Sequence, residues 1–261
     1  MEKVSICIPA YKDINALDRL LQSILEQTYN NYEVVISDDS PDDSLQPIIA
    51  KYSPSMQIYY ERNKVALGSP GNWNKSINMA SGKYIKLMHN DDCFSSPCSL
   101  QKFVDALEKD DEVMFAFSSC YDRGEGIDLL RRPTPLQLKY LRKYPDVLLL
   151  GNFVGAPSAV IYRNAQPEYY DEQLIWKVDV DFYVRFLRKY PTFVYIDEPL
   201  INIGISVNQI SRRCEDNSEL IRKEESYIEN KLSPKYPLWF RTWNVFRYGL
   251  LSRTIKMLKK A

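Results

Sequence analysis

Three acidic pairs are the residues of this chain best suited to chemistry. Asp91 and Asp92 are adjacent, close the short run of residues 83–90, and stand beside His89, the only histidine. Neighbouring carboxylates repel each other, so a fold that keeps two together usually offers a compensating cation. Such an oxygen-rich pair suits Mg2+ or Mn2+, and an imidazole can join it as a ligand or hydrogen-bond a phosphate. A second pair, Asp38 and Asp39, ends another apolar run, and a third, Asp179 and Asp181, alternates with Val180. The ordinary alternative for each is a turn or helix cap, positions that favour Asp.

The pairs need elements to hold them. Residues 4–8 form an apolar strand stopped by Pro9. Leu17, Leu20, Leu21, Ile24 and Leu25 recur at helical spacing over 15–26. Strands are predicted at 33–37, at 57–61 and in the run ending at Asp91; helices are predicted at 45–51 and at 73–79, the latter closed by Gly82. Strand and helix in alternation imply βαβ units, and hence a Rossmann-like, mostly parallel central sheet flanked by helices. In such sheets ligands bind at the carboxyl ends of the strands, where Asp39 and Asp91 fall. A helix at 99–109 and a strand at 113–118 follow, and then regularity weakens. Residues 121–146 read as mixed, with Pro133 and Pro135 as breakers. A loop at 151–157 leads into a strand at 158–162. Beyond it lie a helix at 180–189, a strand at 192–196 and a polar helix at 218–230.

Composition narrows the class. At 261 residues, 45% hydrophobic and 26% charged, the chain can bury a sizeable core and does not read as disordered. Five cysteines, Cys7, Cys93, Cys98, Cys120 and Cys214, show no CxxC repeat, which fits a reducing cytoplasm better than a disulfide scaffold. The apolar run at 4–10 is too short for a signal peptide, and no 18-residue apolar run exists, so neither a leader nor a membrane span is expected. Formal net charge is zero, yet residues 231–261 hold eight Lys and Arg and no Asp or Glu. They also hold Trp239, Phe240, Trp243, Phe246 and Tyr248. Two readings stay open: contact with an anionic membrane, or a helix with its aromatic face on the core. Nucleic acid is not expected, because no binding module accompanies the patch.

The order of motifs resembles the inverting, family 2 type of glycosyltransferase with a GT-A fold. The matching residues are 4–11 (VSICIPAY), 23–29 (SILEQTY), 32–40 (YEVVISDDS), Asn63, Gly68, Asn74, 80–85 (ASGKYI) and Asp91-Asp92. The resemblance is firm over 1–100, looser to about 211 and absent from the C-terminal fifty. It implies a nucleotide-sugar-binding half over 1–100, an acceptor-binding half over 101–215 and a helical, basic and aromatic extension over 216–261.

It also implies roles. Pro9, Tyr11, Asp39, Asn63, Gly68 and Asn74 would meet the donor nucleotide, with Asp39 accepting the imide proton of uracil or thymine. Asp91 and Asp92 would hold Mn2+ or Mg2+ on the donor diphosphate, with His89 a further metal or phosphate contact. The family often reads Asp-x-Asp-Asp there, and His89 replaces the first Asp. Residues 176–185 resemble the Glu-Asp-x-Asp segment that opens a helix, which makes Asp179 the general base, with Asp181 a structural partner, an acceptor contact or the alternative base. Val178 replaces the usual Glu. Trp176 and Gly155 would lie near the acceptor, and Trp73 is a stacking or packing residue. Gly204 falls where many relatives carry an Arg-x-His segment.

The implied reaction moves a sugar from a UDP- or dTDP-sugar to the hydroxyl of a glycan or lipid-linked glycan, in bacterial surface-polysaccharide assembly. The alternative is a non-catalytic, nucleotide-sugar-binding relative. The expected location is the cytoplasm, at the inner face of its membrane if residues 231–261 bind lipid.

Overall fold

Strand β1 (Val4–Ala10) is buried along its whole length, so its sequence VSICIPA runs apolar rather than alternating, as a strand covered on both faces must. The computed structural model containing it describes residues 2–205, 214 and 217–235. Helix α1 (Ile14–Leu25) starts where the Asp13 carboxylate accepts the Ala16 amide, and it buries Leu17, Leu20, Leu21 and Ile24. Next come β2 (Tyr32–Asp38), α2 (Gln46–Tyr52), β3 (Ile58–Arg62), α3 (Ser69–Asn78) and β4 (Tyr84–Leu87). β1 pairs in parallel with β2 and with β4, and β2 with β3. This register brings Ala10, Asp38 and Arg62 to one edge, together with the turn that follows Leu87. The chain steps outward through β2 and β3, then returns to the other flank of β1 as β4. In open α/β sheets such a reversal is where the ligand crevice lies, here between the ends of β1 and β4.

The second half extends the same sheet with mixed pairing. It comprises β5 (Cys93–Phe94), α4 (Ser99–Glu108), β6 (Phe115–Gly124), β7 (Ile127–Arg131), α5 (Pro135–Lys143), β8 (Val160–Arg163), α6 (Val178–Lys189), β9 (Phe193–Gly204) and α7 (Ser218–Leu232). Among the described residues the order is β3-β2-β1-β4-β8-β6-β9-β5, nine strands in all, with β7 paired to β6. Here the sequence expectations need correcting. The stretch read as mixed is a hairpin followed by a helix, and α5 begins at Pro135, which fills a first-turn position that needs no N–H. Thr134 and Gln137 cap that helix reciprocally. The strand expected at 192–196 runs on to Gly204, because β6 pairs with it in parallel on both sides of an irregularity around Ser119. Helix α3 starts four residues earlier than expected, directly after Gly68 at φ 79°.

Each face of the sheet carries a core. One is filled by α1 and α4 through Leu17, Leu20, Leu21, Phe103 and Leu107. The other is filled largely by α6, where Phe182 and Phe186 pack with Phe115 and Tyr162 at ring separations of 5.2–5.7 Å. This aromatic packing fixes α6, and with it the first-turn Asp179. No helix of the described residues is long and apolar enough to cross a membrane. The aromatic tail from 236 onward lies outside the described residues, so the two readings of 231–261 stand as they were.

Candidate active site

The acidic turn after β4 is stitched down from three sides. The His89 amide donates to Ser158 Oγ (3.0 Å) and the Asp92 amide to His89 O (3.1 Å). Immediately after Asp92, β5 pairs with β9 through Cys93↔Asn202 and Phe94↔Ile201. This pairing carries the Gly204 amide to Asp92 Oδ1, at 2.9 Å. Asp92 is 2% exposed, and its other oxygen, Oδ2, is buried without a hydrogen-bond partner. His89 Nδ1 lies 4.0 Å from that oxygen, while His89 Nε2 is likewise buried and unpartnered. One ligand-type atom from each of His89, Asp91 and Asp92 falls within 4.8 Å of the others. Burial, then the Asp91 charge, pushes the Asp92 carboxyl well above its usual range. Burial also lowers His89, which keeps the imidazole neutral and its lone pair available. Two orphaned ligand-type atoms in one cluster fit a divalent cation.

Sequence reasoning missed two supports of this turn. Lys86 is fully buried in β4; its ammonium donates to Ser158 O and sits 4.6 Å from the centre of the Phe103 ring. Burial lowers its pKa to about 7, opposed by the charge of Asp92. A lysine between Ile85 and Leu87 in an otherwise apolar strand was the available signal. The other support is Gly204, noted only for the His it lacks. A Cβ there would stand 2.3 Å from Asp91 O. Gly204→Ala must therefore push β9 off the acidic turn. We expect it to lower stability by about 1–3 kcal/mol, read by denaturant unfolding, and an unchanged midpoint would contradict the close approach.

At the other flank of the crevice, Asp38 serves the turn, accepting from the Ser40 amide (2.7 Å) and the Tyr60 hydroxyl (2.7 Å). Asp39 instead gathers the loop ahead of α3. It accepts from Asn63 Nδ2 (2.6 Å), the Leu67 amide (3.0 Å) and the Gly68 amide (2.9 Å). Asn63 also reaches Asn72 Oδ1, and Asn72 Nδ2 donates to Ala10 O, so loop, helix and β1 form one unit. Pro9 lies within β1 opposite Ser37, and Tyr11, just beyond, is 52% exposed. Asn74, expected at the nucleotide, points elsewhere: its amide exchanges hydrogen bonds with the Tyr170 backbone and reaches Glu172. It anchors the approach to α6.

Asp179 lies in the first turn of α6, part-buried. Its Oδ2 accepts from Asn152 Nδ2 (2.7 Å) and its Oδ1 from the Val180 amide (2.8 Å). Asn152 is itself fixed, its Oδ1 accepting the Val154 and Gly155 amides. Gly155 takes φ 100°, a conformation that favours glycine, and its carbonyl accepts from the Tyr183 hydroxyl. Burial raises the Asp179 pKa to about 6, against the lowering effect of these donors. Asp181 must be corrected as an acceptor contact or alternative base. It is fully buried, and its two oxygens are taken by Arg185 (2.8 Å) and Lys231 (2.8 Å). Trp176 is half-buried, with its amide donated to Glu224. Trp73 packs against His89 (4.7 Å) and Tyr170 (5.0 Å), which supports its packing role.

The two chemistries meet through one short segment. Asn152 holds Asp179, and six residues later Ser158 holds the His89 amide and the Lys86 ammonium. A polarised carboxylate and a cation-type cluster thus hang on the same loop.

Comparison with known proteins bears on this arrangement. The family described as Glycosyl transferase family 2 matches residues 5–165. The glycosyltransferase MJ1057 of Methanocaldococcus jannaschii is 27% identical over 95% of this chain and 86% of its own length. WfaP of Escherichia coli, named as a UDP-Glc:alpha-D-GlcNAc-diphosphoundecaprenol beta-1,3-glucosyltransferase, is 33% identical over 46% of this chain and 47% of its own. The structure of S. aureus TarS 1–349 in complex with UDP-GlcNAc superimposes with a TM-score of 0.66 at 17% identity. It covers 94% of this chain and 69% of that one, a likeness of fold.

Proposed function

Since the chain belongs to glycosyl transferase family 2 and is a glycosyltransferase of GT-A fold, we propose that it is metal-dependent and inverting, with Asp179 as general base. The observation that carries this reading is the pairing, on one loop, of a carboxylate whose pKa is raised to about 6 and a cluster with two unpartnered ligand atoms. An acceptor hydroxyl is a poor nucleophile, and a carboxylate of that basicity can take its proton as it attacks the anomeric carbon. Asn152 aims one oxygen of Asp179, and Asn152 is in turn clamped by backbone amides, so the base meets its substrate without first reorganising. Attack from the side opposite the departing diphosphate inverts the anomeric centre in a single displacement.

Asp91, Asp92 and His89 would hold Mn2+ or Mg2+, which when bound stabilises negative charge on the leaving diphosphate. Asp39 orders the loop through Asn63, Leu67 and Gly68, and a base imide N–H would share its carboxylate with these donors. A pyrimidine donor, UDP- or dTDP-linked, suits that acceptor, with the exposed Tyr11 ring as a flat neighbour. The acceptor would be a glycan or lipid-linked glycan in bacterial surface-polysaccharide assembly. WfaP, named for such a substrate, supports that class. A cytoplasmic position follows, peripheral at the membrane if residues 231–261 bind anionic lipid.

Thermal unfolding in the presence of a panel of nucleotide sugars tests the donor and the metal together. We expect one pyrimidine donor to raise the midpoint, and to do so strongly only when Mn2+ or Mg2+ is present. A panel without any response, or a response indifferent to metal, would remove the reading.

A further inference from the structure

Helix α7 grips the turn that carries Asp179 in a way the proposed reaction does not use. Glu224, on α7, is 3% exposed, and its carboxylate receives three successive backbone amides. The Ile175 amide donates to Oε1 at 2.7 Å, the Trp176 amide to both oxygens at 3.1 Å, and the Lys177 amide to Oε2 at 2.9 Å. These residues lead directly into α6, which has no side-chain cap of its own. The first N–H groups of a helix and its approach need acceptors, and here a single carboxylate from another helix supplies them. Seven residues on, Lys231 reaches Asp181 at 2.8 Å. Helix α7 thus pins the chain at 175–177 and again at Asp181, with Asp179 suspended between the two anchors. Val178 leaves that turn without an acidic neighbour ahead of Asp179, and Glu224 brings a carboxylate to it from outside.

We propose that Glu224 is a positioning residue for the general base: it fixes the backbone ahead of α6, and so the direction in which Asp179 meets Asn152 and the acceptor. The proposal rests on Asp179 being the base. Glu224→Gln keeps the size of the side chain but turns one acceptor oxygen into a donor facing a backbone N–H. The carboxylates on the donor side, Asp39 and Asp92, draw their partners from other elements. The variant should therefore lose about ten- to a hundredfold in kcat, with the donor KM within about twofold, assayed well below its unfolding midpoint.

Asp179→Asn, measured alongside, separates the two ideas. If Asp179→Asn keeps its rate, the base assignment fails. If Asp179→Asn is inactive while Glu224→Gln turns over like wild type, positioning alone is overturned. A fall in kcat matched by an equal rise in donor KM would mark a general structural role and also overturn it. Should Glu224→Gln not fold, Lys231→Met leaves the Glu224 anchor in place and releases the far one at Asp181, together with the Lys231 contact to Asp171. It should show the same split between kcat and KM, and a wild-type kcat there overturns the proposal.

Discussion

Asp179→Asn should lower the transfer rate about 10²- to 10⁴-fold and leave donor affinity within about a factor of two. The substitution is nearly isosteric, so its effect is chemical. The introduced carboxamide can keep the Val180 amide bond through its oxygen, but its NH2 then faces Asn152 Nδ2, donor against donor. Asn152 cannot rotate to relieve this, because its own oxygen accepts two amides and its NH2 also serves Gly155 O. The wild-type rate should follow the same group with pH. A base must be deprotonated, and burial raises this one to about 6. Activity should thus be level above that value and fall about tenfold for each pH unit below it. Rate profiles at saturating donor check both statements. A profile without a break between about pH 5 and 7, or a fully active Asp179→Asn variant, would exclude Asp179.

The second large effect belongs to Asp92→Asn. It should cost about a hundred- to a thousandfold in kcat/KM, equivalent to roughly 3–4 kcal/mol, and it should abolish the added thermal stability that Mn2+ gives the donor complex. The Gly204 amide can still donate to the remaining carbonyl oxygen of the side chain, so the turn keeps its shape. What changes is the unpartnered position beside His89, where a lone pair becomes an N–H that no cation can use. Isothermal titration with Mn2+ and a nucleotide sugar provides the measurement. Wild-type metal dependence in the variant would place the cation elsewhere.

How much of this was legible in the sequence depends on the range of the interactions involved. The alternation of strand and helix as far as β4 follows from local periodicity, and the parallel half of the sheet came with it. Asp39 was visible because a strand ends where its apolar run ends, whereas the run to Asp91 and Asp92 leaves the sheet early: β4 stops at Leu87 and the pair sits in the turn beyond it. The second half was harder to read. Pro135 looked like a breaker, yet it starts α5, since only the reciprocal cap between Thr134 and Gln137 reveals that the helix begins there. β9 is long because β6 lies beside it, which no local pattern expresses. Within the site, Asp39 was placed correctly at the end of its strand, but its grip on Leu67 and Gly68 depends on a loop path that spacing does not give. Asn74 and Asp181 drew attention by type and position, and both proved to be spent on neighbours. The supporting roles of Lys86 and Gly204 were not legible because their partners are 72 and 112 residues away along the chain.

That last separation sets a timetable. The acidic turn emerges from the ribosome with β4, but the amide that closes on Asp92 belongs to the final residue of β9. Contacts so distant in sequence form late, after the entropy of closing a long loop has been met. A nascent chain would therefore display Asp91 and Asp92 on an open sheet edge well before any cation could be held tightly. On the proposed reading, metal capture would be a closing act of maturation, reserved for chains whose second half has already docked.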